Sequence, residues 1–100
     1  MVKPFKISNI TIGNQYPPVV IAEIGINHNG SLDLAISLCD AALKAGAKLI
    51  KHQTHIADKE MSIEAKKIIP GNSKINIFEI IKTSQLKHED ELKMANYARQ

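Results

Sequence analysis

The rhythm of apolar and polar positions changes along the chain, and each rhythm predicts a different element. Phe5, Ile7, Ile10 and Ile12 sit among polar residues as far as Gly13, the pattern of one or two short strands with turns at Ser8-Asn9 and Gly13-Asn14. Pro17-Pro18 blocks any helix and opens the next element. From Val19 to Ile26 the chain is β-branched and nearly continuous in its apolar character, as a parallel strand buried on both faces requires. Asn27-His28-Asn29-Gly30 reads as a tight loop and Ser31 as a helix N-cap, with Asp33 in a first turn where the helix dipole favours it. Leu34, Ile36, Leu38, Ala41, Ala42 and Ala45 then cover much of a helix surface and leave Asp33, Asp40 and Lys44 for solvent. Gly46 is placed as a left-handed C-cap, and Leu49-Ile50 begins a second buried strand. This strand–helix–strand spacing fits one right-handed βαβ unit.

The stretch from His55 to Ile75 breaks the pattern. It is polar and long, carries Glu60, Glu64, Lys66, Lys67 and the turn Pro70-Gly71-Asn72, and predicts one helical turn over Ser62 to Ile68. Loops of this length inside a compact domain usually serve function. Beyond it Ile77, Ile80, Ile81, Leu86, Leu92, Met94 and Tyr97 mark helical segments, the last of them, from about Glu89, still periodic at Gln100. Two parallel strands and their helices cannot close a barrel or cover a sheet, and open parallel edges invite aggregation. The expectation is an α/β fold in which residues 1–100 are one part of a larger protein.

Composition narrows the function classes. With 44% hydrophobic and 23% charged residues the chain is globular rather than disordered. The net charge of +3 comes from thirteen Lys and Arg spread along the sequence, without the basic clusters and interleaved aromatics of a nucleic-acid binder. The lone Cys39 excludes an intrachain disulfide and a Cys-based zinc site, and its place among Leu38, Ala41 and Ala42 predicts a small core residue. No signal peptide is visible and the apolar runs are too short to span a bilayer, so the chain reads as cytoplasmic.

Two residues bear chemistry at strand ends. Glu23 interrupts the first apolar strand and Lys51 ends the second, the equivalent places from which a barrel of parallel strands builds its active site. A buried carboxylate needs a partner or a task; for Glu23 these are a salt bridge to a lysine or a role in catalysis. Lys51 could hold a phosphate or carboxylate, serve as a Schiff base, or simply pair with Glu23. Gln53 shares the Lys51 face and could contact a polar substrate or be a hydrogen-bonded core glutamine. His52 should point the opposite way and pack under a helix. His28, His52 and His55 form no His-x-x-x-His or Glu-x-x-His pair, so their spacing argues against a metal site. The Asn27–Gly30 loop could cradle an anion at a helix start, yet it lacks a P-loop lysine and the glycines of a dinucleotide fingerprint.

At these residues the sequence resembles a known family. Ile21-Ala22-Glu23-Ile24-Gly25-Ile26-Asn27-His28-Asn29-Gly30-Ser31, Ala45-Gly46-Ala47, Lys51-His52-Gln53-Thr54-His55-Ile56, Glu60-Met61-Ser62, Glu64-Ala65-Lys66-Lys67 and Ile69-Pro70-Gly71-Asn72 resemble, in order and register, the bacterial N-acetylneuraminate (sialic acid) synthases. Many relatives carry Phe in place of His52, and the Lys-His-Gln-Thr-His form looks more like the sialic and legionaminic acid branch than the pseudaminic acid branch. Departures are small: Ala57-Asp58-Lys59 replaces a more acidic stretch, and Lys87-His88 stands where a helix-capping asparagine is usual.

The resemblance implies the N-terminal portion of a (β/α)8 TIM barrel preceded by short capping strands, with the rest of the barrel and a C-terminal antifreeze-like domain absent from residues 1–100, and a domain-swapped homodimer. The implied reaction condenses phosphoenolpyruvate with N-acetylmannosamine to give N-acetylneuraminate and phosphate. A divalent metal, Mn²⁺ or Mg²⁺, would polarise the sugar aldehyde, with ligands downstream of this segment. By position, Glu23 matches the glutamate at the sugar's reacting end and Lys51 the lysine that holds the phosphoenolpyruvate carboxylate. Gln53 and Asn72 match substrate contacts, Asn72 toward phosphoenolpyruvate. The alternatives are a legionaminic acid synthase acting on a diacetamido-trideoxy sugar, and a sugar- or anion-binding module without catalysis.

Overall fold

Two small sheets of two strands each organise the chain, which the computed structural model describes from residue 2 to residue 100. Strands β1 (Phe5–Ile7) and β2 (Ile10–Ile12) form an antiparallel hairpin, turned at Ser8 with φ +56°. Strands β3 (Ile21–Gly25) and β4 (Leu49–His52) pair in parallel, joined by helix α1 (Leu32–Lys44). This is the expected βαβ unit. The long polar stretch holds a short helix α2 (Ala57–Glu60) and a 3-10 turn (Ala65–Lys67), followed by α3 (Ile77–Ser84) and α4 (His88–Ala98).

Local chemistry sets the boundaries of α1. Ser31 Oγ accepts the Leu34 N–H at 3.3 Å. At the other end Gly46 takes φ +91°, the Ala47 N–H reaches the Ala42 carbonyl, and the Gly46 N–H reaches that of Leu43, each at 3.0 Å. This pair of bonds closes the helix in a Schellman motif, which favours glycine at the left-handed position. Asn76 caps α3 through the Glu79 N–H at 2.9 Å, whereas Lys87 at the N-cap of α4 offers no side-chain bond.

The core lies where β3, α1 and α4 meet. Ile24, Ala35, Cys39, Leu86 and Met94 are buried together, flanked by Leu32, Leu38, Ile50 and Tyr97. Cys39 is the expected core residue, and burial, then the neighbouring Asp40 charge, pushes its thiol pKa up. Asp40 is not left to solvent as the helical pattern implied. It is half-buried and accepts the Tyr97 O–H at 2.6 Å, because α4 packs over that turn of α1.

The strands depart from expectation in length and cover. The ladder starts at Ile21 opposite Leu49, so Val19 and Val20 have no partner, and Val20 is 73% exposed. Burial on both faces is also not reached: Ile21 is 51% exposed in a sheet of only two strands. The radius of gyration is 16.6 Å, above the ~13 Å usual for a compact domain of this length. Among the described residues no helix is long and apolar enough to cross a membrane.

Candidate active site at the strand ends

Glu23 and Lys51 are direct partners in the β3–β4 register, and their side chains meet at 3.1 Å between Oε2 and Nζ. Immediately beyond them the ladder slips: Gly25, not Ile24, pairs with His52, leaving a bulge. The bulge sends Ile24 into the core and turns the chain at Gly25, whose φ is +52°. A Cβ on Gly25 would lie 3.3 Å from Glu23 Oε1 and 3.9 Å from Gln53 Oε1. Glu23 and Gln53 therefore converge over one glycine, with Lys51 paired to Glu23, at the C-terminal ends of two parallel strands.

Stability does not account for this pair. Its side chains are 65% and 44% exposed for Lys51 and Glu23, and an ion pair in such a setting contributes roughly 0–1 kcal/mol. Both charges remain open to an incoming ligand.

The pattern missed an extension of this cluster. His55 Nδ1 lies 2.8 Å and 3.0 Å from the two carboxylate oxygens of Glu60, and its Nε2 lies 3.4 Å from Gln53 Oε1. Glu60 Oε1 also accepts the Ile56 N–H at 2.6 Å. The His55 hydrogen bond above all holds the Glu60 carboxyl below its usual pKa; burial opposes it, and the Ile56 N–H adds a smaller lowering. Glu60 sits on α2, the element concealed by the polar composition of residues 55–75; its spacing four residues after Ile56 was the available signal. Asn72 stands apart, exposed on the turn that the Ser73 N–H to Pro70 carbonyl bond closes at 3.1 Å, with no hydrogen bond to Glu23, Lys51 or Gln53.

His52 points away from Lys51, as strand alternation requires, and meets His28 with Nε2 to Nε2 at 3.0 Å. His28 is fully buried, and its Nδ1 accepts the Gly30 N–H at 3.0 Å. That bond puts the His28 proton on Nε2, so His28 donates and His52 accepts, both rings neutral. Burial lowers the pKa of each; for His28 the nearby His52 adds to it, while Glu91 opposes it in both. The NHNG loop is thus a structural latch between β3 and β4 rather than an anion cradle. Among the described residues there is no group of three or more His, Cys, Asp or Glu side chains that could hold a metal ion.

Comparisons with known proteins place the chain in a family. No protein-family model matches the chain. It is 37% identical over 98 residues to the spore coat polysaccharide biosynthesis protein SpsE of Bacillus subtilis, covering 96% of this chain and 26% of that protein. The crystal structure of SpsE superposes with a TM-score of 0.66 at 36% identity, over 97% of this chain and 25% of that one. The N,N'-diacetyllegionaminic acid synthase of Legionella pneumophila is 33% identical over 90 residues, covering 86% of this chain and 25% of that enzyme. An N-acetylneuraminic acid (sialic acid) synthetase of Leptospira borgpetersenii, crystallised with citrate, matches with a TM-score of 0.78 at 25% identity, over 97% of this chain and 30% of that one.

The fold is therefore a mixed α/β segment shared with sugar-acid synthases. The chain belongs to the sialic acid synthase-type family, and spans about a quarter of the length of the relatives it matches.

Proposed function

We propose that residues 1–100 are the N-terminal portion of a TIM-barrel synthase that joins phosphoenolpyruvate to N-acetylmannosamine, forming N-acetylneuraminate and phosphate. The observation that carries this reading is the Glu23–Lys51 pair, in register at the ends of two parallel strands and open to solvent. The barrel is supported by a groove of about 600 Å³ along β4, between α1 and α4, lined by Leu43, Leu49, Ile50, Met94 and Ala98. A third parallel strand would fill it.

The residues divide the work by charge. The Lys51 ammonium is free to exchange its Glu23 partner for the carboxylate of phosphoenolpyruvate. That exchange releases the Glu23 carboxylate to accept hydrogen bonds from the sugar and orient its reacting end. Gln53, beside both, supplies a neutral polar contact, and Asn72 is assigned to phosphoenolpyruvate from the loop. In the reaction the enol carbon attacks the sugar aldehyde, forming a C–C bond, and the aldehyde oxygen takes up a proton. Water then adds to the cationic carbon and the C–O bond to phosphate breaks, releasing phosphate and leaving a keto acid. A divalent ion, Mn²⁺ or Mg²⁺, would take its ligands from outside these residues, and the complete protein is proposed to be a swapped homodimer.

The likeness to the Legionella synthase favours one other substrate, the diacetamido-trideoxy sugar that leads to legionaminic acid. Phosphate release by the full-length protein with phosphoenolpyruvate, Mn²⁺ and either sugar separates the two. Release with N-acetylmannosamine as the better substrate is expected; release with neither sugar would leave only a binding role.

A further inference from the structure

Gln53 is the one neutral side chain in the strand-end cluster, and an amide presents a donor at one end and an acceptor at the other. Which end faces a substrate decides what the site can read. In this protein the amide is held at its oxygen: Oε1, which borders the space over Gly25, lies 3.4 Å from His55 Nε2. The imidazole is itself held from behind. Glu60 grips Nδ1 with both oxygens, at 2.8 Å and 3.0 Å, and is anchored by the Ile56 N–H. The side chains of His55 and Glu60 are 20% and 31% exposed.

We propose that His55, oriented by Glu60, is a positioning residue that sets which end of the Gln53 amide is turned toward Glu23 and Lys51. The logic is that of donors and acceptors. A carboxylate at Nδ1 keeps a proton on that nitrogen. When His55 is neutral, Nε2 carries a lone pair and attracts the Gln53 NH₂, leaving the carbonyl oxygen to face the substrate. When His55 is protonated, Nε2–H attracts the carbonyl, and the NH₂ faces the substrate instead. The two amide orientations have nearly the same shape, so the hydrogen-bond network alone selects between them. Protonation of one imidazole thereby exchanges an acceptor for a donor beside Glu23.

The charges that bear on His55 come from several elements. Glu60 lies on α2, Glu23 on β3, and Lys51 and His52 on β4. The start of α4 adds His88 and Glu91, with Lys87 before it, across a cavity of about 160 Å³ that His55 also lines. Glu60 is the only one of these within hydrogen-bonding distance of the ring. Replacing it should therefore loosen the ring that holds Gln53.

This inference rests on the proposed synthase reading, and its test is built to fail separately. The full-length protein is assayed with phosphoenolpyruvate and N-acetylmannosamine from pH 5.5 to 8.5, as wild type, His55→Phe, Glu60→Gln, Gln53→Ala and the Gln53→Ala/His55→Phe double variant. His55→Phe should raise the sugar KM about tenfold, the value of one well-placed hydrogen bond, with kcat little changed. It should add nothing in the Gln53→Ala background. Glu60→Gln, which removes one of the two oxygens that hold Nδ1, should raise the sugar KM in the same direction as His55→Phe and by less. In parallel, the side-chain amide resonances of Gln53 are followed by NMR over the same pH range; they should titrate in wild type and stop titrating in His55→Phe. Additive effects of the two single variants, or Gln53 resonances indifferent to His55, would overturn the assignment. If the protein forms no sugar acid, the synthase reading fails while the NMR titration still decides the role of His55.

Discussion

Lys51 Nζ stands 3.1 Å from Glu23 Oε2, although the two residues lie 28 positions apart in sequence and meet only through the β3–β4 register. The pair sits one step before the bulge at Gly25, so backbone irregularity and charge occur at the same place. A ladder that continued regularly would carry its side chains on in alternation; the slip instead opens space over a glycine for the groups of both strands.

Gly25→Ala tests that arrangement. A side chain at φ +52° costs about 1–2 kcal/mol of backbone strain, and its Cβ would press on Glu23 Oε1 at 3.3 Å. The expected outcome for the full-length protein is a lower denaturation midpoint together with a loss of kcat/KM larger than the stability change explains. Wild-type kinetics in a destabilised Gly25→Ala protein would separate the bulge from the site.

The paired histidines predict a pH dependence of stability. Both pKa values are lowered in the folded state, so the unfolded chain binds more protons as pH falls through its ordinary histidine value of about 6.5. Stability is then fully present above about pH 7 and declines below it, by at most ~1.4 kcal/mol per pH unit for each group. Urea midpoints at pH 7.5, 6.5 and 5.5 should fall in wild type and fall less in His52→Phe. Equal slopes in the two proteins would show that the His28–His52 contact is not the source.

Gln85 ties the second half of the chain to the site. Its Oε1 accepts the N–H of Ala57, a fully buried residue at the start of α2, at 2.9 Å. Gln85→Ala strands that N–H, at a cost of about 1–3 kcal/mol. Faster hydrogen exchange at Ala57 should accompany the loss, and because Glu60 lies on the same short helix, the sugar KM should rise as well. Unchanged exchange at Ala57 would mean that α2 is held by other contacts.

Residues 1–100 in isolation should lack a cooperative fold. Leu43 is 71% exposed and the chain is extended to 46 Å along its longest axis, with β4 open along one edge. Circular dichroism in urea is expected to change gradually, and a sharp unfolding transition of a monomer would contradict this.

The parts that were legible in the sequence are those governed by local rules. Ser31, Gly46 and the apolar runs around Ile24 and Ile50 specified the βαβ unit, since caps and strand hydrophobicity act over a few residues. Glu23 and Lys51 stood out because each ends an apolar run, and strand alternation sent His52 to the opposite face. What pattern could not show was tertiary. Asp40 looked solvent-facing on α1 alone and is claimed by Tyr97 from α4, 57 positions away. His28 and His52 are joined only when β3 and β4 pair, and α2 was concealed because its helix is fastened by Glu60 and Gln85 rather than by an apolar stripe.

The most direct test of the account is phosphate release from phosphoenolpyruvate by full-length Lys51→Ala in the presence of N-acetylmannosamine and Mn²⁺. The exposed pair contributes little to folding, so the variant should retain the wild-type melting temperature within a few degrees. Its kcat/KM should fall by about a hundredfold or more, as when a positioned electrostatic contact is removed. A folded Lys51→Ala protein that releases phosphate at the wild-type rate would contradict the assignment of the strand-end pair as the substrate-binding centre.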